Sequence, residues 1–183
     1  MLTRLTQGLI GSAIIVSIAH FGAAPAAAED PVPSPETAAS ASHWSQGTST
    51  LTLENTTLAT FEFEGVRHFP LFADKTVDGA TTYAFDVVGD PGDGTTELFG
   101  GISFYRDGGC AIVSDLVIDP AGDTVTGRVN FGEPVALFVL GGGTDEGTAW
   151  HFTADGAAAF NEELGITSLR PGRILGYDAT AID

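Results

Sequence analysis

The chain has 183 residues, with 24 acidic side chains against seven Lys and Arg, and a formal net charge of −17. That balance argues against nucleic acid as a partner, because binding phosphates needs clustered basic residues and Lys75 is the only lysine. A single cysteine, Cys110, rules out an internal disulfide, so any fold must be held by its core.

Residues 1–28 read as an export signal. Arg4 gives a positive start, residues 5–22 are mostly apolar, and Ala23-Ala24-Pro25-Ala26-Ala27-Ala28 supplies the small residues that precede cleavage. The apolar run carries Gln7, Ser12, Ser17 and His20, and is short for a bilayer span, which needs roughly 20 strongly apolar residues. No second apolar span follows, so the mature protein is expected in the cell envelope or secreted, with no membrane span. Residues 29–42 hold three prolines and no large apolar residue except Val32. Such a segment cannot bury enough surface to offset its ordering entropy, and reads as a disordered linker. Residues 43–183 then form one domain, opened by Trp44.

Residues 48–53 form the first strand, with Leu51 and Leu53 on one face. Residues 54–66 carry two signals. Phe61 and Phe63 flank Glu62 at strand spacing, yet Asn55 suits a helix N-cap, Leu58 and Phe61 stand three apart, and Gly65 suits a helix end. Residues 66–72 form a strand interrupted by Pro70, which marks an edge or a bend. Residues 75–79 are expected as a turn. Residues 81–88 form a strand in which Tyr83, Phe85 and Val87 alternate with Ala84 and Asp86. Residues 89–96 form a loop.

The centre of the chain is a run of antiparallel strands over residues 98–140. Ile102 and Phe104 alternate with Ser103 and Tyr105. Asp107-Gly108-Gly109 turns the chain into a second strand over residues 111–118, and Asp119 to Asp123 turns it again, with Pro120 and Gly122 at the bends. Strands over residues 124–130 and 135–140 follow. Residues 141–147 are glycine-rich and expected as a loop; a phosphate cradle would need a Lys-Ser/Thr ending and a following helix, and has neither. After a strand at residues 148–152, Thr153 caps a helix over residues 154–164. Ala157, Phe160 and Leu164 form its apolar stripe and Gly165 ends it. Residues 174–182 form the closing strand. Eight or nine strands with one or two short helices predict a mainly β fold, an antiparallel β-sandwich with a helix over one open end.

Several of these stretches resemble the HtaA-type domain of exported bacterial haem-uptake proteins. They are Gly101-Ile102-Ser103-Phe104, the glycine turn after it, the strand ending Asp119-Pro120, the segment from Thr153 through Asp155 and Gly156 to Phe160, and Pro171-Gly172. The likeness spans residues 44–182 and is greatest to divergent, secreted single-domain members, which open with a Thr-Leu-Thr-Leu strand and a short helix ending Gly-Val, here Leu51-Thr52-Leu53 and Gly65-Val66. It implies a β-sandwich, a short helix at residues 54–66, an envelope location and, in haem-binding members, an iron-coordinating tyrosine backed by a histidine. Those two residues do not carry over. No tyrosine lies between Trp44 and Tyr83, and Asp107 stands at the histidine position, where a carboxylate cannot act as a neutral imidazole.

Haem would then need other ligands. The available tyrosines are Tyr83, Tyr105 and Tyr177, with His68 or His151 as partners. Tyr105 with His68 is the favoured pair, because Tyr105 lies in the strand that precedes the family's histidine position; the plainer role for Tyr105 is strand packing, and for His68 an edge histidine. Asp90, Asp93 and Glu97 share a loop that could take calcium, without EF-hand spacing. No Gly-x-Ser-x-Gly elbow occurs and Ser114-Asp115 has no nearby histidine, so no enzyme is expected. Two readings follow. One is a non-catalytic envelope protein that binds a protein partner or cell-wall component through its surface, without a cofactor. The other is a haem-binding or haem-relay protein using Tyr105 and His68.

Overall fold

A computed structural model describes residues 45–89 and 91–183. The stretches read as an export signal and a linker, together with Trp44 and Asp90, lie outside them. Among the described residues the chain runs β1 (Gly47–Leu53), α1 (Asn55–Phe63), β2 (Arg67–Leu71), β3 (Asp74–Asp78), β4 (Ala80–Val88), β5 (Thr96–Arg106), β6 (Gly109–Asp119), β7 (Thr124–Val129), β8 (Val135–Thr144), β9 (Gly147–Phe152), α2 (Ala154–Leu164) and β10 (Ile174–Ile182).

The strands do not form the expected sandwich. β5, β6, β7, β8, β9, β10, β1 and β4 pair antiparallel in that order, and β4 pairs back onto β5, closing eight strands into a barrel. In-and-out alternation is the same in both architectures; what separates them is whether the last two edges meet. They meet over a short seam, at Asp86–Phe99, Val87–Leu98 and Val88–Glu97. Beyond it β4 and β5 part, β2 adds to β5, and β3 adds to β4. Gly100 is where β5 changes partner. Its φ of +97° and a position where a Cβ would lie 2.5 Å from the Leu71 carbonyl oxygen leave room for glycine alone.

Two further expectations are corrected. Residues expected as a turn form β3, an edge strand whose Val77 points to solvent. The glycine-rich stretch is the end of β8, in a hairpin with β9. A Cβ on Gly141 would stand 2.3 Å from Nε2 of His151, so glycine there makes space for a ring across the hairpin.

β1 and β9 both pair antiparallel with β10, so they run in one direction and the helices that follow them close the same barrel end. α1 is capped by Glu54, not Asn55: its carboxylate accepts from the Thr57 amide at 2.8 Å. α2 is capped as expected by Thr153, whose Oγ1 accepts from the Gly156 amide at 2.8 Å and donates to the Ala136 carbonyl at 2.7 Å. Gly165, at φ 61°, ends it. Arg106, at the end of β5, donates to the Glu64 carbonyl at 2.9 Å and the Gly165 carbonyl at 2.5 Å, tying together the last turns of both helices, where the helix dipole favours a cation. Beneath it the Phe104 ring lies 5.3 Å from Phe61 of α1 and 5.2 Å from Phe160 of α2. Toward the other end, the buried Asp178 accepts from Ser49 Oγ at 2.5 Å and Thr180 Oγ1 at 3.1 Å, and burial pushes its carboxyl above the usual range.

Thr153→Ala removes the side chain's bonds to the Gly156 amide and to the Ala136 and Leu137 carbonyls. It should lower stability by about 1–2 kcal/mol, read as a shift in the urea midpoint. An unchanged midpoint would show that α2 docks without its cap.

Candidate functional site

The parted strands β4 and β5 leave a slit that β2 and β3 line, and the register decides which side chains enter it. On β4, Tyr83 shares the buried face with Phe85 and Val87 and is fully buried. On β3, Lys75 stands opposite Tyr83. On β2, His68 stands opposite Phe104, whose side chain is in the core, so the imidazole also turns inward. His68 Nδ1 lies 2.5 Å from the Tyr83 hydroxyl. The Lys75 ammonium donates to the His68 carbonyl at 3.0 Å and lies 3.5 Å from Nδ1. Phe104 sets the third side, its ring centre 6.2 Å from that of His68.

Above this group lies a cleft of about 580 Å³ between α1 and the β2–β3 pair. Leu58, Phe61, Val66 and Phe69 give it apolar walls, and Arg67 and Lys75 give it two cations against one carboxylate, Glu62. Burial, and then the Lys75 charge, push His68 down to about 4, so its imidazole is neutral near pH 7. Burial also lowers Lys75, and it raises the Tyr83 phenol above its ordinary value, holding it un-ionised. The arrangement is a neutral imidazole with one nitrogen fixed by a phenol that can donate or accept, leaving Nε2 as the nitrogen a ligand can use.

The favoured sequence pair is not brought together. Tyr105 stands opposite Arg67 and Cys110, on the outer face of the barrel, 39% exposed, with its ring against the edge of Phe69. His68 faces inward from the adjacent strand. Asp107 is exposed in the β5–β6 turn. Tyr177 faces outward beside Thr52, and His151 Nδ1 lies 3.0 Å from the Gly172 carbonyl oxygen. Cys110 is half-buried. In the loop considered for calcium, Asp93 accepts from the amide and hydroxyl of Thr95, closing a tight turn. Among the described residues no three His, Cys, Asp or Glu gather to hold a metal ion, and no helix is long and apolar enough to cross a membrane. Sequence reasoning held Tyr83 and His68 among the candidates but favoured Tyr105 over Tyr83, and it missed Lys75. A signal existed: a tyrosine alternating with Phe85 and Val87 must bury its hydroxyl and find it a partner.

No protein-family model matches the chain, and no curated protein does. Among solved structures it is similar to the C-terminal domain of HtaA from Corynebacterium glutamicum, with a TM-score of 0.51 and 11% sequence identity, over 75% of this chain and 96% of that one. At that identity the likeness is one of fold alone: this chain has a distant HtaA-like fold.

Proposed function

We propose that this chain is a non-catalytic binding domain of the cell envelope that takes haem in the cleft between α1 and β2–β3, with His68 Nε2 as the iron ligand and Tyr83 positioning it from behind. The observation that carries this reading is the 2.5 Å bond between His68 and Tyr83 at the cleft floor. It keeps the family's two residue types in contact but exchanges their roles: the tyrosine is sealed and un-ionised, and the histidine borders the cleft. Metal-bound histidines commonly donate their other N–H to a carboxylate, carbonyl or water, and here the Tyr83 hydroxyl oxygen would take that place.

The residues fit the group. The cleft lies within the roughly 300–1,000 Å³ that small-molecule sites occupy. Its walls suit an apolar disc, and Arg67 and Lys75 suit two carboxylates on a protein otherwise dominated by acids. Bound haem would supply an iron centre; the chain supplies an imidazole lone pair, a fixed ring orientation and water exclusion by Phe61 and Leu58. The export signal read from residues 1–28 supports an envelope location.

Adding hemin to the purified mature protein should give a saturable Soret band. His68→Ala should abolish it, Tyr83→Phe should weaken or shift it, and Tyr105→Ala should leave it unchanged. Absence of a saturable band in the parent protein, or its survival in His68→Ala, would overturn the proposal.

A further inference from the structure

A second concavity lies on the outer face of the barrel, where β2 ends beside β5 and β6. It holds about 460 Å³ and is lined by Leu71, Phe72, Phe99, Ser114 and Phe131, with Glu97 and Asp115 at its rim. Phe72 is 76% exposed and Phe131 67% exposed, and Phe72 packs its ring 5.9 Å from that of Phe99. Phe72 and Phe131 hold φ values of 53° and 60°, and Asp115 one of 51°. The left-handed region is unfavourable for a bulky side chain, and three such residues border one groove.

Ser114 supplies an independent observation. It is 6% exposed and lines the groove, yet its Oγ has no hydrogen-bond partner among the described residues. A buried hydroxyl left without a partner costs free energy unless a ligand completes it.

Charge selects the occupant. Glu97 and Asp115 line the groove and Asp86 stands across the strand from Phe99. The neighbouring cation, Arg128, is paired with Asp115 at 3.1 Å. A second copy would bring the same acids face to face between chains of charge −17. We infer that this groove binds a basic, apolar segment of a partner protein. An apolar side chain of the partner sits among Phe72, Phe99 and Phe131, adjacent Lys or Arg side chains meet Glu97 and Asp86, and a backbone group of the segment bonds Ser114 Oγ. This site is separate from the cleft at His68.

The test titrates the full chain into a fluorescein-labelled octapeptide of alternating lysine and leucine, read by anisotropy. Lysine–serine and glutamate–leucine octapeptides are the controls. The lysine–leucine peptide should bind saturably, at least tenfold tighter than either control. Asparagine tolerates positive φ, so Phe72→Asn with Phe131→Asn should melt no lower than the parent and lose at least tenfold in affinity. Should that double variant fail to fold, Ser114→Ala serves the same purpose: it should melt no lower and bind several-fold more weakly. Each variant should keep the hemin response of the parent, which separates this proposal from the cleft. Equal binding of the lysine–serine peptide, full affinity in the folded variants, or a dimer in sedimentation equilibrium that Phe72→Asn dissociates would each overturn it.

Discussion

Phe104→Ala should destabilise the protein by about 3–5 kcal/mol, the cost usual for removing a fully enclosed aromatic ring. The ring sits where four elements meet: it belongs to β5, touches Phe61 of α1 and Phe160 of α2, and walls one side of the His68 imidazole on β2. Phe160 in turn contacts Phe152 of β9 at 5.1 Å, so no neighbour can move into the gap without leaving its own contacts. Urea unfolding measures the loss. The hemin response should weaken in the folded fraction too, because the imidazole loses a wall. A loss under about 1 kcal/mol would mean that the two helices close the barrel without this ring between them.

The second large effect is a loss of stability in acid. His68 has an ordinary value of 6.5 and a folded value of about 4, lowered by burial and then by Lys75. In the unfolded chain the imidazole takes up a proton as pH falls through 6.5, whereas the folded protein refuses it until about pH 4. Stability is therefore fully present above pH 6.5 and declines across that window, by about 2–3 kcal/mol once partial exposure to solvent is allowed for. Asp178 acts in the opposite sense. Its raised carboxyl favours the protonated folded state, so it adds stability as acid protonates it. The measurement is thus the difference in unfolding free energy between the parent and His68→Gln at pH 7 and pH 4. That difference should move against the parent by the stated amount on acidification, and a constant difference would remove His68 as the cause.

Much of the strand pattern was legible because it rests on local chemistry. Tyr83, Phe85 and Val87 alternate, glycines and Pro120 mark turns, and Thr153 and Gly165 bracket α2. β3 was not legible: Asp74 to Asp78 has one apolar side chain, Val77, and it faces solvent, so no alternation signals a core. Gly141 to Thr144 carried no pattern either, since their place in β8 depends on His151 across the hairpin. Closure into a barrel was out of reach for a different reason. It rests on β1 lying between β10 and β4 and on a three-pair seam, and each is a contact between segments far apart in sequence. The site divides in the same way. His68 stood out as a candidate by residue type, but its partner follows from the slit between β4 and β5. Tyr105 was favoured by its place in the family pattern, and the period of two in β5 turns it to the outside.

The short junction between β4 and β5 makes the barrel a split ring. Below its three rungs, β2 hangs from β5 and β3 hangs from β4, like two leaves hinged on opposite posts. What latches one leaf to the other side is the His68–Tyr83 bond and the Lys75 ammonium on the His68 carbonyl. Drawing the imidazole off Tyr83 undoes the first of these ties and leaves the Lys75 bond to the backbone carbonyl and every ladder of the ring intact. Two side chains, His68 and Lys75, are thereby what holds the gap in the ring to a fixed width.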